Sequence, residues 1–265
     1  MGVTIYQVDA FTDLPYKGNP AAVCLLDKAK DEAWMQAVAN ENNLSETAFL
    51  TPGNDGYNLR WFTPKSEVKL CGHATLASAY ILYKEKLLPL NKQARFFTLS
   101  GLLTASYHEN TGFIELDFPA HSVTPCEPPR GLVESLKVKP IFIGRSDNDY
   151  LIEVASEDEV KELVPDFSRL LQVPCRGIIV TALASSNNYD FISRFFAPAV
   201  GVNEDPVTGS AHCRLAPYWE AKLKKNEFIA YQASSRGGFL QLATVGDRVR
   251  IGGKAVIVLK GEFLV

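Results

Sequence analysis

Short runs in which apolar and polar residues alternate recur along most of this chain, the period-two signature of half-buried strands. The pattern predicts strands at residues 3–11, 21–26, 45–51, 57–62, 102–107, 113–118, 177–181 and 191–196, with several more near the C-terminus. Three segments follow the helical period instead, at 31–41, 74–84 and 211–223, the first opening on Asp31 as an N-cap. The second carries Leu76, Ala77, Ala79, Tyr80, Ile81 and Leu82. It is apolar on nearly every side, which marks a helix buried all round and wrapped by strands. The Pro-rich stretch "FPAHSVTPCEPPRG" breaks both periods and places a domain boundary near residue 122, giving domains at 1–122 and 123–265. The expected class is α+β.

The two predicted domains repeat each other. "RWFTPKSEVKLCGHATLASAYILYK" (60–84) is echoed by "RFFAPAVGVNEDPVTGSAHCRLAPYWEAK" (194–222). Arg60, Phe62 and Pro64 match Arg194, Phe196 and Pro198 at an offset of 134 (194 minus 60), while Glu67, Gly72 and Ala74 match Glu204, Gly209 and Ala211 at 137 (209 minus 72). Extended upstream, the offset of 134 lays Glu46 over Val180 and Thr47 over Thr181. One register with a single three-residue insertion points to duplication, and two such halves are expected to meet about an approximate two-fold axis.

Composition narrows the partners. A net charge of −3 offers no basic surface for nucleic acid or anionic lipid, and no apolar run approaches the roughly 20 residues of a membrane span. Cys24, Cys71, Cys126, Cys175 and Cys213 are odd in number and form no C-x-x-C pair, so neither a disulfide framework nor a zinc site is expected. The N-terminal sequence has no secretory pattern. A cytoplasmic protein with a small-molecule partner is the expectation.

The chemistry gathers at the two helix starts. Helix N-termini present backbone N–H groups without intrahelical partners and the positive end of a macrodipole, so the Gly72–His73 and Gly209–Ser210 turns are candidate sites for a carboxylate or a developing oxyanion. Glycine at Gly72 and Gly209 lets a ligand oxygen approach the backbone; the competing reading is that each only permits a tight turn. On the predicted strand, Glu46 shares a face with Leu44, Ala48 and Leu50. Burial there raises a carboxyl toward the pH at which it can take and return a proton, making Glu46 a candidate general base and acid. If Ser45 and Thr47 face the core instead, Glu46 is solvated. Asp205, five residues before Ser210, either orients substrate or stiffens an Asp-Pro turn, and His73 is a proton-handling or a structural histidine. No H-E-x-x-H, Walker A or well-placed G-x-G-x-x-G motif occurs, which favours chemistry without metal or cofactor.

At "DAFTDLPYKGNPAAVCLL", "NLSETAFL", "LRWFTPKSEVKLCGHATLASA", "RFFAPAVGVNEDPVTGSAH" and "SRGG" the chain resembles the PhzF (phenazine-biosynthesis F-like) family, particularly its eukaryotic phenazine-biosynthesis-like domain proteins. The resemblance implies the diaminopimelate-epimerase-like fold: two similar strand-rich barrels, each closed around a central helix, with the active site in the cleft between them, commonly in a homodimer. It also implies cofactor-free proton transfer on a small ring carboxylate. The family's acid/base glutamate falls on Glu46, its histidine, aspartate and serine on His73, Asp205 and Ser210, and the asparagine of its G-N-P segment on Asn19. Related epimerases use two cysteines at the helix starts. Here Cys71 fills the first place and Thr208 the second, and a hydroxyl is too weak a base for that task. Three functions are expected in this order: an isomerase working through Glu46, a binding or interaction protein on the same fold, and an epimerase relying on Cys71 with another base.

Overall fold

The computed structural model describes residues 2–264. The chain folds as two compact units, the first built from residues 1–117 with 251–265 and the second from residues 118–250. The expectation placed 251–265 in the second domain. Strand pairing draws them back, because Ala255–Phe263 runs antiparallel along Val3–Ala10, with Val3 opposite Phe263 and Ala10 opposite Ala255.

Each unit has the same strand grammar, which is how the sequence repeat becomes structure. In the first unit, Val3–Ala10 and Asn19–Leu25 form an antiparallel pair. Glu46–Gly53 joins Asn19–Leu25 in parallel, Gly56–Phe62 follows antiparallel, Ala94–Thr98 joins in parallel, and Gly101–His108 returns antiparallel. In the second, Phe142–Ser146 and Asp149–Glu153 make the antiparallel pair, Gly177–Leu183 joins in parallel, Phe191–Ala197 antiparallel, Glu227–Gln232 parallel and Gly238–Val245 antiparallel. The strands of 142–153 and 94–98 escaped the sequence pattern. Asp149–Glu153 is buried at every position, so it lacks the alternation that reveals a half-buried strand.

The two long buried helices sit where the sequence put them, each two residues longer at its start: Gly72–Lys84 and Gly209–Leu223. The first packs against five strands, Val3–Ala10, Asn19–Leu25, Glu46–Gly53, Gly101–His108 and Ala255–Phe263, as its all-round apolar surface demands. Two of its hydroxyls are spent on its own backbone: Ser78 Oγ donates to the Ala74 carbonyl at 2.7 Å and Thr75 Oγ1 to the Cys71 carbonyl. A third helix, Glu32–Asn42, starts at Asp31, whose Oδ1 accepts from Trp34 N–H at 2.8 Å, a cap worth about 1 kcal/mol. It docks through Trp34 and the edge-on Phe49 and Phe62 rings.

The duplicated Arg-x-Phe signature reads out as the same contact in both units. Arg60 lies over Phe62 at 5.1 Å and pairs with Glu67 at 2.6 Å; Arg194 lies over Phe196 at 5.0 Å and pairs with Glu204 at 2.7 Å. Each arginine covers an aromatic face while its fork meets a carboxylate on the short strand that follows, Glu67–Val68 in one unit and Val202–Asp205 in the other.

Inside the second helix His212 is wholly buried, stacked on Phe191, with Nδ1–H donating to the Thr208 carbonyl at 2.8 Å. Its Nε2 is buried without a hydrogen-bond partner among the described residues. Burial therefore outweighs the backbone contact and pulls its pKa down to about 4. A histidine depressed on folding contributes stability that is complete above its unfolded value of about 6.5 and is lost as pH falls toward the folded value. The second unit should lose ~3 kcal/mol across that window. Denaturant titrations at pH 7 and pH 4 check this: His212→Gln, which keeps a donor but cannot titrate, should lose far less than the parent. Equal losses would acquit His212.

Candidate active site

In the first unit the chain brings together four of the residues expected there. Glu46 opens its strand, Asn19 opens the neighbouring strand, and Gly72 and His73 are the first two residues of the buried helix. Glu46 Oε2 lies 3.1 Å from His73 Nε2, with the two side chains 19% and 7% exposed. Beyond each other, these two buried atoms have no partner among the described residues. On the other edge of the ring, Nδ1 faces Asn19 Nδ2 at 3.2 Å and Cys71 Sγ at 3.6 Å. The Asn19 amide carries both a donor and an acceptor, so one end or the other suits Nδ1 in either ring state.

Three groups thus share few protons in a poorly solvated place. Burial opposes a charge on His73, but the Cys71 sulfur and the Glu46 carboxylate outweigh it and raise the imidazole well above its ordinary value. The Cys71 thiol is itself pushed up, by burial first and by Glu46 second, against the pull of His73. With that thiol protonated, the carboxylate is what sustains the charge on His73. Ser45 and Thr47 do not displace Glu46 from the site. Thr47 is buried, its hydroxyl accepting from Asn42 Nδ2 at 3.1 Å, and Glu46 is only partly covered, which leaves the carboxyl reachable.

Glu46, Cys71 and His73 also hold ligand-type atoms within 4.8 Å of one another. The sulfur faces Nδ1 and the carboxylate faces Nε2.

In the second unit Asp205, Gly209 and Ser210 frame the start of the other helix. Thr208 Oγ1 donates to Asp205 Oδ2 at 2.5 Å, and Gln232 ties the turn together, accepting from Thr208 N–H at 2.8 Å and donating to the Asp205 carbonyl at 2.7 Å. Thr208, at the place equivalent to Cys71, is therefore held as a donor. Neither Gly72 nor Gly209 has a positive φ, so a left-handed turn is not what selects glycine at these helix starts.

Two findings were missed in the sequence. The first is register. Thr47 pairs with Phe62 and Ile178 with Phe196, so this strand repeats at an offset of 131 (178 minus 47) while its partner repeats at 134. The position equivalent to Glu46 is therefore Gly177, not Val180. A side chain has no room there: a Cβ on Gly177 would meet the Phe195 ring at 2.2 Å. The second is an ionic cluster around Ser210. Asp149, 1% exposed, accepts from Arg176 Nε at 2.8 Å and from its Nη2, and lies 3.5 Å from Arg214 Nε. Arg176 Nη2 also donates to Ser210 Oγ at 3.2 Å, and Arg214 Nη1 to the Ser210 carbonyl at 2.9 Å.

Comparison with known proteins adds an outside frame. The family model described as phenazine biosynthesis-like protein matches residues 8–261. An uncharacterized isomerase of Halalkalibacterium halodurans is 56% identical, over 100% of this chain and 99% of its own. The human phenazine biosynthesis-like domain-containing protein is 40% identical, over 98% and 99%. The crystal structure of a PhzF-family protein from Enterococcus faecalis superposes with a TM-score of 0.94 at 41% identity, covering both chains fully. A probable proline racemase from Agrobacterium radiobacter shares the fold at a TM-score of 0.68, covering 99% of this chain and 93% of its own, with 10% identity. The architecture is that of the epimerase-like α+β folds.

Proposed function

The chain belongs to the phenazine biosynthesis-like family, and on that premise we propose that it is an isomerase moving a proton on a small carboxylate substrate, without a cofactor and by acid/base catalysis through Glu46. The observation that carries this reading is the partly covered carboxylate set 3.1 Å from a buried histidine at the first turn of a buried helix. Glu46 takes a proton from substrate carbon and returns it to another position. His73, charged or neutral within the same pair, holds the carboxylate in place and steadies it between the two states. The backbone N–H groups at Gly72 and His73 suit the oxygen on which charge develops, since a helix start supplies donors that no side chain has capped. In this reading Asp205, Gly209 and Ser210 bind and orient the substrate. One acid/base group acting on one face accounts for a shift of a proton; inversion at a carbon needs a second group.

Incubating the protein with a pool of small metabolites in deuterated water tests the proposal. Enzyme-dependent deuterium at carbon in a carboxylate metabolite is the expected result, and its absence across acidic and neutral pools would count against isomerase chemistry.

One observation favours a second reading: Cys71 Sγ lies beside His73, where a thiol base of an epimerase would lie. Two facts weigh against it. The thiol is pushed up, and the place of its partner is held by Thr208, already committed to Asp205. Cys71→Ser should therefore keep turnover within about threefold of the parent, because catalysis by the thiolate would forfeit a factor of at least ~100. Loss on that larger scale would make Cys71 the base.

A further inference from the structure

Aligned by their observed pairing, the two units place opposite charges at adjacent positions of the same strand start. Glu46 pairs in parallel with Ala21 as Gly177 does with Asp149, and Arg176 stands one residue ahead of Gly177. Each charged side chain reaches the second residue of its own unit's buried helix: Glu46 meets His73, and Arg176 meets Ser210. The first unit thus places an anion on a proton carrier, and the second a cation on a hydroxyl.

We propose that Arg176 is a positioning residue that fixes the Ser210 hydroxyl as a hydrogen-bond donor toward an anionic oxygen of the substrate. The inference rests on the reading above, in which Ser210 touches substrate. A guanidinium has N–H donors and no acceptor, so in the contact at 3.2 Å Ser210 Oγ accepts and its own hydrogen points elsewhere. A hydroxyl that accepts from a cation is polarised as a donor and suits a carboxylate better than a carbonyl.

The arginine is itself held still. Its fork grips buried Asp149, its plane lies over Phe195 at 5.5 Å, and its backbone N–H donates to the Asn148 carbonyl at 2.7 Å. Arg214 holds Ser210 from the other side through the carbonyl while leaning on the same Asp149. Ser210 is therefore clamped at two oxygens by two cations that share one hidden carboxylate. A bridge serving stability alone is complete in the Arg176–Asp149 fork. The further bond to Ser210, made by a side chain still 41% exposed, is what that role leaves unexplained.

The test converts the hydroxyl into a titrating reporter and needs no substrate. In Ser210→Cys, the new thiol faces Arg176, with Asp149, Arg214 and Asp147 the other charges of the cluster and His121 beside Asp147. Its alkylation by iodoacetamide is followed across pH by peptide mass spectrometry, which separates residue 210 from Cys126 and Cys175. Adding Arg176→Gln keeps a donor for Asp149 but removes the charge. The alkylation rate at pH 7 should fall roughly tenfold, the change in thiolate fraction for a shift of about one pKa unit. The helix start is common to both proteins and cancels.

Arg176→Lys should fall between them, which keeps the test decisive if the Gln variant does not fold. Identical pH profiles in all three would overturn the assignment. In the deuterium assay, Arg176→Gln on the Ser210 background should raise KM more than it lowers kcat. A positive thiol result from a protein that exchanges no deuterium into any carboxylate would instead remove the isomerase reading, and this proposal with it.

Discussion

Glu46→Gln is expected to fold like the parent and to lose about two to four orders of magnitude in deuterium incorporation at substrate carbon. The amide has the shape of the carboxyl but cannot accept and return a proton. The native partner of the lost charge is a single histidine, and Gln can still accept from His73 Nε2–H through its oxygen. Thermal stability should therefore change little, while chemistry should nearly stop. A second readout needs no substrate: removing the carboxylate withdraws the charge that sustains the imidazolium, so the His73 ring, followed by NMR, should titrate at lower pH in the variant. The sign carries over to stability. A histidine raised on folding contributes stability below its unfolded value that is lost as pH rises through the folded one, so the parent should lose a small increment on the alkaline side that the variant lacks. Full activity in Glu46→Gln with the His73 shift present would leave the geometry standing and end the acid/base role.

Much of this molecule can be read from its chain because burial writes itself into composition. Leu76, Ala77, Ala79, Ile81 and Leu82 sit on every side of one helix, and only a wrapped helix can carry that pattern. Asp31 announces a helix start by local chemistry, and Arg60 with Phe62 and Glu67 repeats as Arg194 with Phe196 and Glu204 because each trio packs on itself. Glu46 and His73 were visible as a carboxylate on an apolar strand and a histidine at a helix start.

What stayed hidden was fixed by pairing between distant segments. Residues 255–263 join the first unit through a ladder with residues 3–10, and nothing local in either run specifies the other. The slip from an offset of 134 to 131 moved Val180 away from the place of Glu46 and put Gly177 there. With that register in hand, Arg176 would have stood out as the charged residue beside the position equivalent to Glu46. Asp149 gave no such signal, lying 27 residues from Arg176 in sequence on a fully buried strand.

Asp149→Asn is expected to destabilise the second unit by about 3–5 kcal/mol, the largest loss of stability among the substitutions considered. The reason is what the substitution leaves behind. Arg214 is only 8% exposed, and with Asp149 neutral its remaining charged partner is Asp147 at 3.0 Å, a side chain 62% exposed. Arg176 loses its fork, and the grip on both oxygens of Ser210 loosens at once. The cost is chiefly that of the Arg214 cation stranded in a place water reaches poorly, so it should shrink when that cation is removed as well. Asp149→Asn combined with Arg214→Met should be more stable than the sum of the two single changes by more than about 1 kcal/mol, since residues in one ionic network couple on that scale. Urea titrations, read with a hydrogen-exchange signal from residues 118–250 so that the two units are not averaged, supply the four numbers of the cycle. Additive losses would mean that Asp149 and Arg214 act independently. The clamp on Ser210 would then rest on Arg176 alone.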